Sequence, residues 1–217
     1  MNDIVVYGIP GSPYLRSALL GLHEKGASYR LAVLGQGIGG SRTEDHLQRH
    51  PFGRIPVLEH GDFRLYETQA ILRYLDAVLP GPALQPEDPR AAARMNQIAG
   101  IVDWYVFPYI SVGITAERFM SQRFWNRPPD EANIAQAVPR AATCVRELER
   151  LLGSSEFLTG DTLCIADLMV APHLLFFRGT PEAEQLMRGT SLDAWLKRMQ
   201  ARPSMQATEV DRLKQAA

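Results

Sequence analysis

Cysteine is scarce in this sequence, which contains only Cys144 and Cys164. Two thiols so far apart argue against a disulfide framework and against a CxxC redox or zinc site. No cysteine precedes residue 144, so the first half cannot supply a protein thiol for disulfide exchange. The five histidines lack the spacing of a metal-ligand set, and we predict that no metal is bound.

An excess of charge of one sign is also lacking, because the formal net charge of the 217 residues is -1. Such a chain has no electrostatic reason to bind nucleic acid or an anionic membrane, and we predict neither partner. The most apolar later stretches, 101–114 and 164–177, are each broken by aspartate and proline, so neither should span a bilayer. The start, MNDIVVYG, lacks the basic head and apolar core of a signal peptide, which predicts a cytoplasmic protein.

The first eighty residues alternate between short apolar runs and helical patterns. The apolar runs predict strands at 4–7, 29–34, 55–58 and 63–66. Ser12 and Pro13 are typical of a helix start, and a second amphipathic helix begins at Glu67. The order β-α-β-α-β-β-α predicts a compact α/β domain with a mixed four-stranded sheet.

The rest of the chain has a helical texture. A proline-rich linker, 81–89, separates the α/β domain, 1–80, from an all-α domain, 90–217. Helical periodicity predicts helices near 90–120, 130–152, 164–177, 191–202 and 204–215. Pro108 and Pro139 should kink or interrupt the first two of these helices.

A glycine-rich segment, 35–40, satisfies the spacing G-x-G-x-x-G. In a dinucleotide-binding fold such glycines lead into a helix that packs on the sheet. The residues that follow, SRTEDHLQRH, offer essentially only Leu47 as an apolar contact, and 60–62 (HGD) is typical of a hairpin. We therefore interpret the glycines as a surface loop rather than a nucleotide site.

Two short motifs flank this hairpin, and each allows a structural or a ligand-binding interpretation. Pro56 is an ordinary edge residue if trans, whereas a cis bond would expose the backbone of Ile55 to an extended peptide-like ligand. Glu67 and Thr68 can simply cap the helix that they begin. They can also bind a zwitterion, since Thr68 and the helix N-terminus suit a carboxylate and Glu67 suits an ammonium group.

Ser12 also has two possible roles, because it is placed as the N-cap of the first helix. The chain has no G-x-S-x-G motif, so a hydrolase nucleophile is disfavoured. A hydroxyl at a helix N-terminus can instead donate to a bound thiolate and lower the thiol pKa from about 8.5 toward neutrality.

Three stretches together resemble the thioredoxin-like glutathione-binding domain of cytosolic glutathione S-transferases: YGIPGSPYLRSALLGLHEKG, HPFGRIPVL and LYETQAILRYL. A fourth, FLTGDTLCIADLMVAPHL, is similar to the capping-box helix of the family's helical domain. The motifs GSP and PFG most resemble the serine-type phi, theta or related bacterial classes. The resemblance covers nearly the whole chain and implies the glutathione S-transferase fold.

The resemblance also implies a role for each residue of these motifs. Ser12 would donate to the sulfur of glutathione, and Ile55 would pair its backbone with the cysteinyl part. Pro56 would be cis. Glu67 and Thr68 would hold the γ-glutamyl head group.

Three further residues are less closely tied to the motifs. Arg54 occupies the place of a polar ligand-contacting residue, and Arg42 either reaches the glycine carboxylate of glutathione or lies in solvent. Tyr7 ends the first strand, where tyrosine-type relatives keep their catalytic hydroxyl. The serine at the start of the first helix favours Ser12 over Tyr7.

The helical domain should supply the pocket for the second substrate. Its first long helix carries a set of apolar and aromatic residues that form either a pocket wall or part of the core. The set predicted for the electrophile pocket is Tyr105, Pro108, Tyr109, Val112 and Phe119. Arg118 lies among them and either attracts an anionic group or sits in water.

By resemblance, the protein is expected to conjugate reduced glutathione to a small hydrophobic electrophile in detoxification. Glutathione would be a co-substrate, and no other cofactor is expected. The same resemblance implies a homodimer, with a patch around Phe52 and the hairpin as a possible contact. Peroxidase or isomerase activity at the same site, or a non-catalytic scaffold of this fold, are the alternatives. One departure from the family is Cys164 in the capping-box sequence 164–167, where relatives usually have serine or threonine.

Overall fold

The computed structural model describes residues 3–35 and 38–215, which form two compact units. The first unit contains the chain up to Leu84 together with the segment from Arg202 onward, and the second contains Gln85–Ala201. The predicted helical domain, 90–217, included that last segment. In the structure it groups with the α/β unit instead.

Four short strands form the sheet of the first unit: β1 (Ile4–Gly8), β2 (Arg30–Val33), β3 (Val57–His60) and β4 (Phe63–Tyr66). Their order is β2-β1-β3-β4, and β1 runs parallel to β2 and antiparallel to β3. Strands β3 and β4 form an antiparallel hairpin. The predicted mixed four-stranded sheet is therefore confirmed. Strand β3 begins after Pro56, which has no N–H to donate to the ladder.

The helices of the first half are α1 (Pro13–Glu24), α2 (Glu44–Arg49) and α3 (Thr68–Val78), with a 3₁₀ turn at Ile38–Arg42. Helices α1 and α3 present apolar faces to the sheet, because their leucines and isoleucines recur at helical spacing. The buried core of this unit comprises Ile4, Val6, Leu15, Ala18, Leu19, Leu22, Leu58, Ile71, Leu75 and Leu213.

The second unit is helical, as predicted. It consists of α4 (Pro89–Ile101), a π-helical segment (Val102–Ala116), α5 (Glu117–Trp125), α6 (Glu131–Leu152), α7 (Ile165–Phe177), α8 (Pro181–Met187) and α9 (Ser191–Gln200). The sequence pattern did not predict α8. The C-terminal segment then adds α10 (Pro203–Ala207) and α11 (Val210–Gln215) where one helix, 204–215, was predicted.

The two prolines predicted to disturb helices behave differently. Pro108 lies inside the π-helical segment, where the wider ladder accommodates a residue without an N–H. Helix α6 continues through Pro139, so the predicted interruption does not occur there. Buried residues lie on both sides of Pro139, and their packing offsets a cost of about 3 kcal/mol for an interior proline. A Cβ at Gly113 would lie 2.7 Å from the Ala137 Cβ, so this glycine allows close packing of α6.

The continuous helical stretch Pro89–Trp125 is long and apolar enough, by length and composition alone, to cross a membrane. Its most apolar window is 44% buried within the protein. Core helices of soluble proteins pass the same test, so this is weak evidence for a membrane span.

The glycine-rich segment predicted as a surface loop includes Gln36 and Gly37, which lie outside the described residues. Its last residues, 38–40, begin the 3₁₀ turn Ile38–Arg42, which is followed by the short helix α2 and then the hairpin. The predicted hairpin is confirmed by the antiparallel pairing of His60 with Phe63.

Candidate active site

Three predicted site segments meet at one end of the sheet. Tyr7 near the end of β1 is opposite Val57 at the start of β3, and Val57 is opposite Tyr66 at the end of β4. The turn after β1 leads to Ser12, Ile55 precedes β3, and Glu67 follows β4. The topology therefore brings Ser12 to the same end of the sheet as Ile55 and Glu67, which lie more than forty residues further along the chain.

Ser12 has the geometry of a helix N-cap. Its backbone is extended, with φ -73° and ψ 125°, and its hydroxyl oxygen accepts from the backbone N–H of Leu15 at 3.3 Å. The Ser12 N–H donates to the Ile9 carbonyl at 3.0 Å, which closes the preceding turn. Because the cap uses the oxygen as an acceptor, the hydroxyl proton can still be donated to an anion at the start of α1.

The Ile55–Pro56 peptide bond is cis, as the resemblance implied. Pro56 is buried and Ile55 is half-buried. The preceding carbonyl, of Arg54, is hydrogen bonded to the buried ring of His46 on α2, with an Nε2···O distance of 2.7 Å. The backbone that would pair with a peptide-like ligand is thus anchored to α2.

Glu67 has an unusual backbone conformation, with φ 71° and ψ 114° at the N-cap of α3. Its side chain is exposed and makes no capping hydrogen bond, so the carboxylate does not serve the helix. Its carbonyl accepts from the Ile71 N–H at 2.9 Å. Thr68, the next residue, is 6% exposed. Strained non-glycine residues of this kind are concentrated at ligand-binding sites.

The two predicted arginines are both exposed, but the structure places them near the cis bond. Arg54 directly precedes Ile55. Arg42 ends the 3₁₀ turn, and a Cβ added at Gly53 would lie 3.1 Å from the Arg42 Cδ. The stem of Arg42 therefore lies against the turn that leads to Ile55.

The hydroxyl of Tyr7 is already engaged on β3. It donates to Glu59 Oε2 at 2.8 Å, and the Arg49 guanidinium lies 4.6 Å from the centre of the Tyr7 ring. Burial raises the pKa of the Glu59 carboxyl, but hydrogen bonds from Tyr7 and Arg64 outweigh burial and hold that pKa below its usual range. Ionised Glu59 therefore accepts the proton of the Tyr7 hydroxyl in a hydrogen bond. This geometry favours Ser12 over Tyr7 as the hydroxyl that donates to the thiolate.

The predicted electrophile-pocket residues do not all lie together within the helical unit. Tyr105 and Tyr109 share a groove of about 450 Å³ with residues of α6. The remaining lining residues of this groove are Ile101, Arg140, Thr143, Cys144 and Glu147. The Arg140 guanidinium lies 5.0 Å from the centre of the Tyr109 ring.

The other members of the predicted set lie elsewhere on this long helix. A Cβ added at Gly179 would lie 3.1 Å from the tip of the Phe119 ring, so Phe119 packs where α7 ends. Val112 is exposed and Pro108 is half-buried. Arg118, one of whose two predicted roles was to attract an anionic group, is paired with Glu182 and Glu131.

Models of one protein family match both halves of the chain. The model described as the glutathione S-transferase N-terminal domain matches residues 2–77, and that of the C-terminal domain matches residues 131–198. The chain belongs to the glutathione S-transferase family. Its relatives support the phi-like branch that the resemblance indicated.

Several known glutathione S-transferases are similar over nearly their full length. "Glutathione S-transferase F7" of Arabidopsis thaliana is 26% identical, with coverage of 94% of this chain and 98% of the relative. "Glutathione S-transferase 4" of Zea mays is 29% identical and covers 93% of this chain and 89% of its own. The crystal structure of glutathione transferase F7 from Populus trichocarpa has a TM-score of 0.84 at 26% identity, covering 94% and 97%. These matches confirm the predicted glutathione S-transferase fold.

Two polar residues around this site were not singled out in the sequence. Glu59 could have been noticed as the charged residue that directly follows the apolar run 55–58, in the strand that pairs with β1. Arg16, one turn after Ser12, is only 5% exposed, which no pattern in the sequence indicated. The two residues that accept hydrogen bonds from the Arg16 side chain lie almost two hundred residues further along the chain.

Proposed function

We propose that this member of the glutathione S-transferase family binds reduced glutathione, stabilises its thiolate through Ser12 and transfers it to a small hydrophobic electrophile. The observation that carries this proposal is the meeting of Ser12, the cis Ile55–Pro56 bond and Glu67 at one end of the sheet. These groups match the thiol, the peptide backbone and the ammonium group of glutathione.

The tripeptide would bind across this end of the sheet. Ile55 would pair its backbone with the cysteinyl residue, as in strand addition. The Glu67 carboxylate would accept from the γ-glutamyl ammonium group, and Thr68 with the start of α3 would hold the adjacent carboxylate. Arg42 would reach the glycine carboxylate, and Arg54 would contact the ligand as a further polar residue.

Catalysis would come from stabilising the thiolate and holding it for attack. The Ser12 hydroxyl and the N-terminus of α1 both favour a negative charge on the sulfur. Each unit by which they lower the thiol pKa from about 8.5 corresponds to about 1.4 kcal/mol of preference for the anion. Glutathione is the co-substrate, and no metal or other cofactor enters this reaction.

Glutathione-affinity chromatography and the ultraviolet thiolate band of bound glutathione test the proposal. The unaltered protein should be retained and should show the band near neutral pH. Ser12→Ala should still be retained but should lose the band, while Ser17→Ala, a matched change in the same helix, should keep both. A protein that is not retained would instead be a non-catalytic member of the fold. Full conjugation activity in Ser12→Ala would move the catalytic role to Tyr7.

The remaining expectations are also proposals. The residues 1–80 would bind glutathione, with 81–89 as a linker. The electrophile site would come from the part of the predicted domain 90–217 that lies in the second unit, 90–201. That site would draw on Tyr105, Pro108, Tyr109, Val112 and Phe119. Conjugation would serve detoxification in the cytoplasm. Substrate profiles of single alanine variants at these five positions test the pocket, since only lining residues should change selectivity between electrophiles.

We further propose a homodimer that uses the Phe52 and hairpin side of the first unit. Phe52 and Phe63 are 66% and 45% exposed, which is high for large apolar side chains. Light scattering should give twice the mass of the chain, and Phe52→Ser should lower it toward one chain. A monomeric unaltered protein would contradict the proposal.

A further inference from the structure

Arg16 is a buried charge in the helix that begins at Ser12. It is 5% exposed, its Nη2 donates to the Met205 carbonyl at 2.7 Å, and its Nε donates to Thr208 Oγ1 at 3.2 Å. Both acceptors are neutral oxygens. A buried arginine is more commonly paired with a carboxylate, since desolvating a guanidinium is costly. These two hydrogen bonds therefore hold the guanidinium without neutralising its charge.

The acceptors belong to the C-terminal segment, which holds α1 at two points. At the far end of α1, Glu24 forms an ion pair with Arg202 at 2.8 Å and accepts from the Ser204 hydroxyl. Thr208 Oγ1 in turn donates to the Ser204 carbonyl at 2.9 Å, which fixes the hydroxyl that faces Arg16. The two ends of α1 are thus attached differently. The far end is attached by an ion pair, whereas the near end is attached by hydrogen bonds from charged Arg16 to neutral oxygens.

Arg16 follows Ser12 by one helical turn on α1. Residues four apart lie on the same face of a helix, and long helical side chains lean toward the N-terminus. The Arg16 N–H also donates to the Ser12 carbonyl at 3.0 Å, so the two residues share one helical turn. A positive charge here adds to the positive end of the helix dipole.

The charged residues around Arg16 do not cancel the effect of its positive charge on an anion at Ser12. From the C-terminal segment, Glu209 is the acidic group whose charge acts on Arg16, and on α1 itself His23 and Glu24 lie at the opposite end. Burial lowers the pKa of the Arg16 guanidinium and Glu209 partly offsets this, but arginine stays protonated at any working pH.

We propose that Arg16 is a positioning residue for the glutathione thiolate: held by Met205 and Thr208, it favours the anion at Ser12 without touching the sulfur. The C-terminal segment thereby takes part in activating the thiol. This inference rests on the proposed function, because it requires glutathione to bind at Ser12.

The experiment is a pH titration of the thiolate band of bound glutathione. Arg16→Met should raise the thiolate pKa by about one unit, because a nearby positive charge is lost. Arg16→Lys should restore much of the shift, since it keeps the charge. Thr208→Val removes one of the two acceptors that hold the Arg16 side chain in place but keeps its charge, so it should raise the thiolate pKa by less. Glu24→Gln is the control, because it weakens the attachment of the same segment to α1 and should leave the thiolate pKa unchanged.

The outcomes separate this inference from the proposed function. If the unaltered protein shows no thiolate band, the proposed function fails, and this inference fails with it. If the band is present and Arg16→Met binds glutathione with an unchanged pKa, only the role of Arg16 is overturned. Equal shifts in Arg16→Met and Glu24→Gln would also overturn it, since a structural attachment would explain both. Should Arg16→Met not fold, Thr208→Val decides, and an unchanged pKa in that variant counts against the inference.

Discussion

The carboxylate of Asp167 accepts a hydrogen bond from the indole nitrogen of Trp195 at 3.0 Å. The same carboxylate accepts from the backbone N–H groups of Leu158 and Cys164, each at 3.0 Å, and from the Cys164 thiol at 3.3 Å. Asp167 is completely buried, and burial raises its pKa against the effect of these donors. One side chain therefore connects α7, α9 and the loop before α7.

Removal of this carboxylate should strongly destabilise the helical unit. Asp167→Ala leaves three buried N–H groups without an acceptor, and we expect the free energy of unfolding to fall by about 3–5 kcal/mol. Trp195→Phe is the matched control, because it removes one donor and keeps an aromatic ring in the core, so its loss should be smaller. Urea unfolding followed by circular dichroism measures both. A loss below about 1 kcal/mol for Asp167→Ala would contradict this account.

Cys164 begins the same helix where serine or threonine is the stronger N-cap. Cys164→Ser should raise the unfolding midpoint, because a hydroxyl donates better than a thiol to the Asp167 carboxylate. The gain should be about 0.5–1 kcal/mol. Cys164→Ala serves as the control and should lose stability, since it cannot donate. The account would be wrong if serine and alanine had the same midpoint.

The hydroxyl of Tyr7 should be structural rather than catalytic. Tyr7→Phe removes a hydrogen bond to Glu59 and should lower the free energy of unfolding by about 1 kcal/mol. Conjugation rate and thiolate pKa should change little, because the hydroxyl is held by Glu59. Steady-state kinetics compare this variant with Ser12→Ala. A raised thiolate pKa in Tyr7→Phe would show that both hydroxyls act on the sulfur.

Two substitutions of Glu67 distinguish the effect of its backbone strain on stability from the effect of its carboxylate on binding. Glu67→Ala and Glu67→Gly both remove the carboxylate, so both should weaken glutathione binding by about tenfold or more. Only glycine accepts φ 71° without strain, so the glycine variant should be about 1 kcal/mol more stable than the alanine variant. Calorimetric binding and thermal unfolding measure the two effects. Equal stability of the variants would mean that Glu67 is unstrained in solution.

Buried His173 should make the protein sensitive to acid. Its Nδ1 lies 2.7 Å from the Ser111 hydroxyl, and burial lowers its pKa from 6.5 to about 3. The ring is therefore neutral when folded but takes up a proton on unfolding below pH 6.5. The unfolded state binds more protons there, so stability falls as the pH drops from 6.5 toward 3, by up to about 1.4 kcal/mol per unit.

The control for this titration is His173→Gln, which cannot take up a proton. Unfolding midpoints of the two proteins, measured between pH 7 and about pH 4.5, should diverge as the pH falls. Other groups titrate in both proteins, so the difference isolates His173. Parallel curves would show that His173 takes up a proton as readily in the folded state as in the unfolded state.

Much of the fold follows from local patterns in the sequence. Strand β4 has the predicted bounds, and α3 starts one residue after the predicted Glu67, because short apolar runs and turn residues define these elements. The helix α8 was missed, since its sequence PEAEQLM has little apolar periodicity. The π-helical segment was also missed, because its ladder depends on packing around Pro108 and Gly113 rather than on composition.

The candidate site was predictable only in part. Ser12, Pro56 and Glu67 stand in motifs that can be read locally, and the sheet topology explains why they meet. The burial of Arg16 depends on acceptors 189 and 192 residues along the chain, which local patterns do not reveal. The hold of Glu59 on Tyr7 is likewise a cross-strand contact, 52 residues apart. Residues whose function depends on such distant partners emerge only from the folded chain.

The π-helical segment gives the wall of the helical unit a place where a change in chain length can be absorbed. An α-helix turns by about 100° per residue, so deleting one residue from a regular α-helical stretch rotates every residue beyond the deletion by about that angle. Deleting one residue where the ladder is wide would instead let that turn revert to α-helical spacing, and Val112 and Phe119 would keep their faces relative to Tyr105. A single codon deletion near Pro108 should therefore disturb the protein less than one in α4. Insertions and deletions in this segment are a route by which such a chain changes its length while its surface is retained.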